Sequence, residues 1–250
     1  MAIEAHETQI DVLDISATQP IGHDAKRTFQ SFPGSQYVLP SDAVEKDRLA
    51  LQHQLLKRVF ENRAILPPIT FPLHSKILDS GTGSDSWLLR YNYRNGSEHS
   101  QRCSEYSHRG GWVQIGEVGP WTAGSVTATH KSLVEALFEF KGLHLDCLKF
   151  IAELLREAGF IAIYEEERSI PLGKWGGQDG IDGRDNFIGV FRGMKTPILN
   201  AGGLGFVQTE GEFDSLLDAV EQEWDETSGA EIKFSVIYAT KPIPVPMASL

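Results

Sequence analysis

Between Gly83 and the pair Gly110-Gly111 the chain has 26 residues, numbers 84 to 109, and nothing else in the sequence limits the fold as severely. The stretch before it, "ILDSGTGSDSW" (77–87), reads as the end of a buried strand entering a glycine turn and a helix. In an open α/β sheet that is where a nucleotide-type ligand is met. The segment after it, "SDSWLLRYNYRNGSEHSQRCSEYSH", holds one short apolar cluster and no convincing strand. A βαβ unit takes about 30 residues. The interval therefore supplies a helix and a loop, and the sheet is smaller than such a turn normally introduces.

The flanking segments are regular. Residues 1–36 are polar and turn-rich and read as an arm, leaving 37–250 as one domain. "SDAVEKDRLALQHQLLKRVFENR" predicts a helix with Ser41 as N-cap, acids early, Lys57, Arg58 and Arg63 late, and an apolar stripe of Leu49, Leu51, Leu55, Leu56, Val59 and Phe60. "HSKILD" predicts a short strand, and "GGWVQIGEV" a clear one over 112–118. Two helical segments follow in "SLVEALFEFKGLHLDCLKFIAELLREAG", the second closed by Gly159. "FIAIYEEERSIPLG" and "EIKFSVIYATKP" predict strands, with helices at "RDNFIGVFRGM" and "TEGEFDSLLDAVEQEWDET" between them. The alternation predicts a layered α/β fold.

Charge and cysteine usage narrow the partners. With 34 Asp and Glu against 23 Lys and Arg, the chain is a poor match for nucleic acid or an anionic membrane surface. Cys103 and Cys147 lie far apart without a CxxC pair, no run approaches a membrane span, and the N-terminus lacks a signal-like pattern. A soluble, cytoplasmic, reduced protein is expected. His99, Cys103 and His108 lack a fourth metal ligand, so no metal is expected, and "EEER" (165–168) reads as edge-protecting charge.

Six phrases carry a family likeness: "YVLPSDAVEKDRLALQHQLL", "ILDSGTGS", "GGWVQIGEV", "IAELLREAGF", "SIPLGKW" and "FSVIYATKP". In this order, from about Tyr37 to Pro242, they resemble fungal class I methyltransferases that use S-adenosylmethionine (SAM), a group including regulators and tailoring enzymes of secondary metabolism. The resemblance implies a seven-stranded doubly wound sheet with SAM over the glycine turn, and an N-terminal lid bearing Tyr37, Arg48, Gln52 and His53. This sequence departs from that pattern twice. Asp85 stands where the third glycine belongs, and the 26-residue interval replaces the second to fourth strands, which bring the ribose-binding acid and the adenine pocket. The expected fold is thus a truncated, remodelled Rossmann-like domain with a reduced sheet flanked by helices. The strand before the glycine turn has lost its usual neighbours, which predicts a homodimer.

Each candidate residue has a bland counterpart. Asp79, Gly81, Thr82 and Gly83 can cradle a ligand, SAM if it is retained, or persist as a packing turn. His53, Tyr37 and Arg48 are candidate donors, and Glu117 at a strand end is a candidate base or acceptor. Gln52, Trp87, Trp121, Trp175, Phe187 and Phe191 are candidate pocket residues, although aromatics fill cores more often. Three functions compete: methyl transfer from SAM; a SAM-independent cyclase that preorganises an apolar terpenoid or polyketide for a Diels–Alder-type closure, as the resemblance to methyltransferase-like pericyclases implies; and a non-catalytic binding or regulatory module. The second, with no cofactor, best suits donors and aromatics without a catalytic signature.

Overall fold

The fold is organised by a sheet whose last strand lies in its middle. The computed structural model describes residues 27–29, 37–70, 78 and 110–243. Among them, β1 (Trp112–Thr122), β2 (Ile161–Pro171) and β3 (Glu231–Thr240) form one sheet in the order β1-β3-β2, with β3 antiparallel to both neighbours. The outer strands therefore run parallel to each other. Their connection is a crossover through α2 (Ser125–Phe140) and α3 (Leu148–Glu157), a βαβ unit split by an inserted strand. The mixed α/β class, the reduced sheet and the three strands expected after Gly110 are all present. "HSKILD" falls outside the described residues apart from Leu78, as does nearly all of the arm.

Period-two alternation puts β3 between two cores. Ile232, Phe234 and Val236 face the larger core, and Ile237 and Ala239 the smaller one, all at 7% exposure or less. A strand buried on both faces must be apolar throughout, which accounts for the near-continuous "FSVIYA". The outer strands bend where the ladder slips. β1 shifts register between Val118 and Trp121, around a proline that has no N–H to donate, and β2 between Ile161 and Tyr164, where Ala162 has φ 50°.

α3 covers the smaller core with Leu148, Ile151 and Leu155. It ends as the sequence predicts. Gly159 at φ 79° donates to the Arg156 carbonyl (2.9 Å or less for both end bonds), Phe160 donates to that of Leu155, and Phe160 packs with Leu155 in the same core, which is a complete Schellman stop. The larger core receives Leu133 and Leu137 from α2, Phe187 and Phe191 from α4 (Gly177–Gly193), and Phe213, Leu217, Val220 and Trp224 from α6 (Glu210–Glu226), with the short α5 (Lys195–Asn200) between. Leu55 of α1 (Ala43–Val59) and Phe60 beyond it close this layer.

The N-cap of α1 corrects the sequence reading: it is Asp42, one residue after Ser41. Its carboxylate accepts the Glu45 N–H at 3.0 Å and is held by Arg27 at 2.6 Å, a charge-assisted pairing no serine hydroxyl could make. Among the described residues, no helix is long and apolar enough to cross a membrane.

Candidate functional site

Helices α1 and α4 lie antiparallel, and a stripe on α4 makes their close approach possible. Asp179, Asp182, Asn186, Gly189 and Gly193 recur at intervals of three and four, the spacing of one helix face. Asp179 and Asp182 accept from Arg58 near the end of α1, and Asn186 from Arg48 nearer its start. A methyl group on Gly189 would stand 3.0 Å from Arg48 Cδ, and one on Gly193 3.0 Å from Pro40 Cδ. The two glycines thus make room for the arginine stem and for the segment entering α1.

Arg48 is the centre of this interface. It is 5% exposed and Glu45 3%. Its Nε and Nη2 donate to the Glu45 carboxylate, the shortest contact being 2.6 Å, and its Nη1 donates to Gln52 Oε1 at 2.7 Å and Asn186 Oδ1 at 2.8 Å. A buried charge is tolerable when paired and hydrogen-bonded in this way. Tyr37 lies within electrostatic reach. Tyr37 is 56% exposed, and its partial burial first, then the Glu45 charge, hold its phenol above the ordinary 10, with Arg48 opposing, so it is protonated at neutral pH. Three of the four lid candidates, Tyr37, Arg48 and Gln52, are therefore one neighbourhood, while His53 is half-buried on α1. Glu45 and Asn186 belong to this group although sequence reasoning passed over them. An acid and a base three residues apart in "EKDR" were the available signal for the first.

A second cluster forms beyond the carboxyl end of β1. Trp121 and Phe191 have ring centroids 5.4 Å apart, and His130 meets Phe191 edge-on at 4.3 Å. Trp121, Phe187 and Phe191, expected to line a pocket, are at most 4% exposed and belong to the larger core. His130 is 1% exposed, and burial brings its imidazole down to about 4 from the ordinary 6.5. Among the described residues its Nδ1 and the Trp121 Nε1 have no hydrogen-bond partner. Glu223 of α6 caps α2 from outside, accepting from the backbone of Val126 and Thr127 and from the Thr127 hydroxyl at 2.6 Å. These bonds hold its carboxyl below the usual range against the opposing effect of burial, which is the largest single influence on it.

The remaining candidates are dispersed. Glu117 accepts from the Val118 N–H at 2.9 Å and lies beside Cys147, whose thiol is pushed up to about 11 by burial and then by the Glu117 charge. Trp175 is 42% exposed and its indole donates to the Leu172 carbonyl at 2.8 Å. Asp79, Gly81, Thr82, Gly83 and Trp87 lie outside the described residues, as do His99, Cys103 and His108. Among the described residues no cluster of His, Cys, Asp and Glu could hold a metal. An open groove of about 580 Å³ runs beside α6, lined by Lys174, Asp218, Glu221, Gln222, Asp225 and Glu226. It contains no residue of the α1–α4 group.

Two turns that follow described strands pack closely against α6. A Cβ on Gly173 would collide with the Trp224 carbonyl, and one on Gly124 with the Glu223 carboxylate, so both turns are filled by the protein itself. Glu223 is engaged by α2, and Asp225 by Arg184 and Lys174.

No protein-family model matches the chain. It is 34% identical over 74 residues to the methyltransferase pytC of Aspergillus terreus, covering 30% of this chain and 22% of that protein. It is 26% identical over 92 residues to the secondary metabolism regulator LAE1 of Pyricularia oryzae, covering 34% and 28%. These similarities cover about a third of this chain. It spans 22% to 28% of the length of these curated relatives. Among solved structures, a phosphoethanolamine N-methyltransferase of Haemonchus contortus matches with 16% identity, 54% of this chain, 27% of that one and a TM-score of 0.25, a superposition that bears no weight here.

Proposed function

We propose that this methyltransferase-like chain works without SAM, binding an apolar small molecule of terpenoid or polyketide type and guiding its pericyclic cyclisation. The observation that carries the reading is the 26-residue interval, residues 84 to 109, which replaces the strands an adenosine pocket requires. The closure of the described strand ends by Trp224 and Glu223 supports it. Such a closure converts π bonds into carbon–carbon σ bonds with no atom, proton or electron leaving. The protein has only to hold a folded conformer and polarise a carbonyl. Tyr37 and His53 are the proposed polarising donors, and the Arg48 network fixes the helix that carries His53.

Calorimetry with SAM and S-adenosylhomocysteine is the first test, and neither is expected to bind. Incubation with a linear polyene bearing an activated carbonyl should then yield a product of unchanged mass. Micromolar binding of S-adenosylhomocysteine would instead support SAM-dependent methyl transfer, the reading that the pytC likeness favours. The absence of both nucleoside binding and cyclised product would favour a non-catalytic module, in keeping with the likeness to a regulator.

A further inference from the structure

Arg27 lies in a stretch whose composition reads as an arm, yet it is tied to the start of α1. Residues 27–29 run antiparallel to 40–42: Phe29 forms a bridge with Pro40, and Ser41 donates its N–H to the Thr28 carbonyl at 2.7 Å. The Arg27 guanidinium then grips Asp42 through Nε at 2.6 Å and Nη2 at 3.0 Å, and the Thr28 N–H donates to the same carboxylate at 3.2 Å. The side chains of this pair are only 21% and 18% exposed, and two parallel bonds fix direction as well as distance, so the link is stronger than an ordinary surface ion pair.

The clamp also borders the Arg48 group. Arg27 Nη2 stands 3.9 Å from Glu45, the acid that Arg48 engages at 2.6 Å, and Tyr37 feels the charge of that same acid. Tyr37 belongs to the stretch between Phe29 and Pro40, whose two ends the bridge brings together. On its C-terminal side Val38 is sunk in the larger core and Pro40 rests against α4 at Gly193. Anchored from that side alone, an exposed tyrosine keeps much of its conformational freedom. We infer that Arg27 is a positioning residue for Tyr37: by fastening residues 27–29 to Asp42 it ties the second end of that stretch and keeps the phenol beside the Glu45–Arg48 pair. This rests on the reading above in which Tyr37 polarises a carbonyl of the bound molecule, and it adds a residue outside the family-like segment on which that donor depends.

The test uses the full chain and 1,7,9-decatrien-3-one, a linear ketone whose diene and enone close to a bicyclic ketone of the same mass, two carbon–carbon σ bonds forming from π bonds and nothing leaving. Asp42→Asn keeps a side-chain cap for α1 but offers Arg27 only a neutral oxygen, and Arg27→Met removes the guanidinium. In both variants the Ser41 and Thr28 amides should exchange hydrogen faster, while the Glu45 amide of Asp42→Asn stays protected. Closure of the triene should slow about tenfold in each. With Tyr37→Phe already in place, Arg27→Met should slow it no further, because no phenol is left to position. A merely structural arginine would slow the Tyr37→Phe protein by the same factor again. That additive loss, unchanged amide exchange, or faster exchange at an unchanged rate overturns the role given to Arg27 and leaves the cyclase reading intact. A parent protein that does not accelerate the closure overturns both.

Discussion

Replacing His130 by leucine should remove a large part of the protein's sensitivity to mild acid. The imidazole is 1% exposed, packed against Phe191 and Trp121, and held at about 4 by burial. In the unfolded chain it titrates at the ordinary 6.5. Its folded-state value is thus depressed, and a neutral histidine favours the fold only where the unfolded chain is also neutral. As pH falls below 6.5 the unfolded state takes up a proton that the folded state refuses, and stability drains away until about pH 4. At about 1.36 kcal/mol per pH unit, the full loss is about 3 kcal/mol, of which about 2 falls between pH 7.5 and pH 5. Leucine fills similar space, and because Nδ1 has no partner among the described residues, no hydrogen bond described at that atom is lost. Urea denaturation of both proteins at pH 7.5 and pH 5 gives the answer as a difference of differences, in which the other titrating groups cancel. His130→Leu should lose about 2 kcal/mol less than the parent over that interval. Equal losses would mean that His130 is protonated inside the fold, and the account of a desolvated neutral ring would be wrong.

Four further outcomes are expected. Arg48→Met leaves the Glu45 carboxylate buried with only the longer 3.9 Å ion pair to Arg27 and should cost about 3 kcal/mol in chemical denaturation, whereas Glu45→Leu combined with Arg48→Met should recover most of it. Asp42, held at about 2 chiefly by its hydrogen bond to Arg27, contributes stability that is complete above pH 3.8 and is lost as pH falls towards 2. Asp42→Asn should flatten the stability curve in that window alone. Gly173→Ala should prevent accumulation of folded protein, since φ is 104° and the methyl would meet the Trp224 carbonyl; a soluble variant with the parent melting temperature would contradict the packing described. The homodimer expected from the sequence should appear by light scattering at micromolar concentration, and a sole species of 27.7 kDa would refute it.

Local signals in the sequence carried the elements, and tertiary choices were hidden from it. Gly159 after an apolar-periodic run marked the end of α3, because a left-handed stop is a property of one residue and its near neighbours. That "EIKFSVIYATKP" forms a strand was legible from its near-continuous apolar run, but its place between β1 and β2 was not, since the pattern of a strand does not name its partner. Ser41 and Asp42 are both acceptable caps, and only the approach of Arg27 decides between them. Phe187 and Phe191 stood out as aromatics, while Asn186 beside them did not, because the meaning of a buried amide depends on the arginine 138 positions away that meets it. Trp121 illustrates the converse: a loop position after a strand suggests a pocket wall, and the bulge at Gly119-Pro120 turns the ring inward instead.

The central position of β3 governs when this fold can come into being. As the ribosome releases the chain, β1 and β2 emerge with no partner between them, and their mutual alignment waits on Glu231–Thr240, the last of the described strands to be made. Helices can form earlier, but neither core can close, so every nascent intermediate presents two open strand edges. A stop codon or frameshift before residue 231 would therefore remove the keystone of the sheet, and the product should be cleared by proteolysis as an unassembled chain.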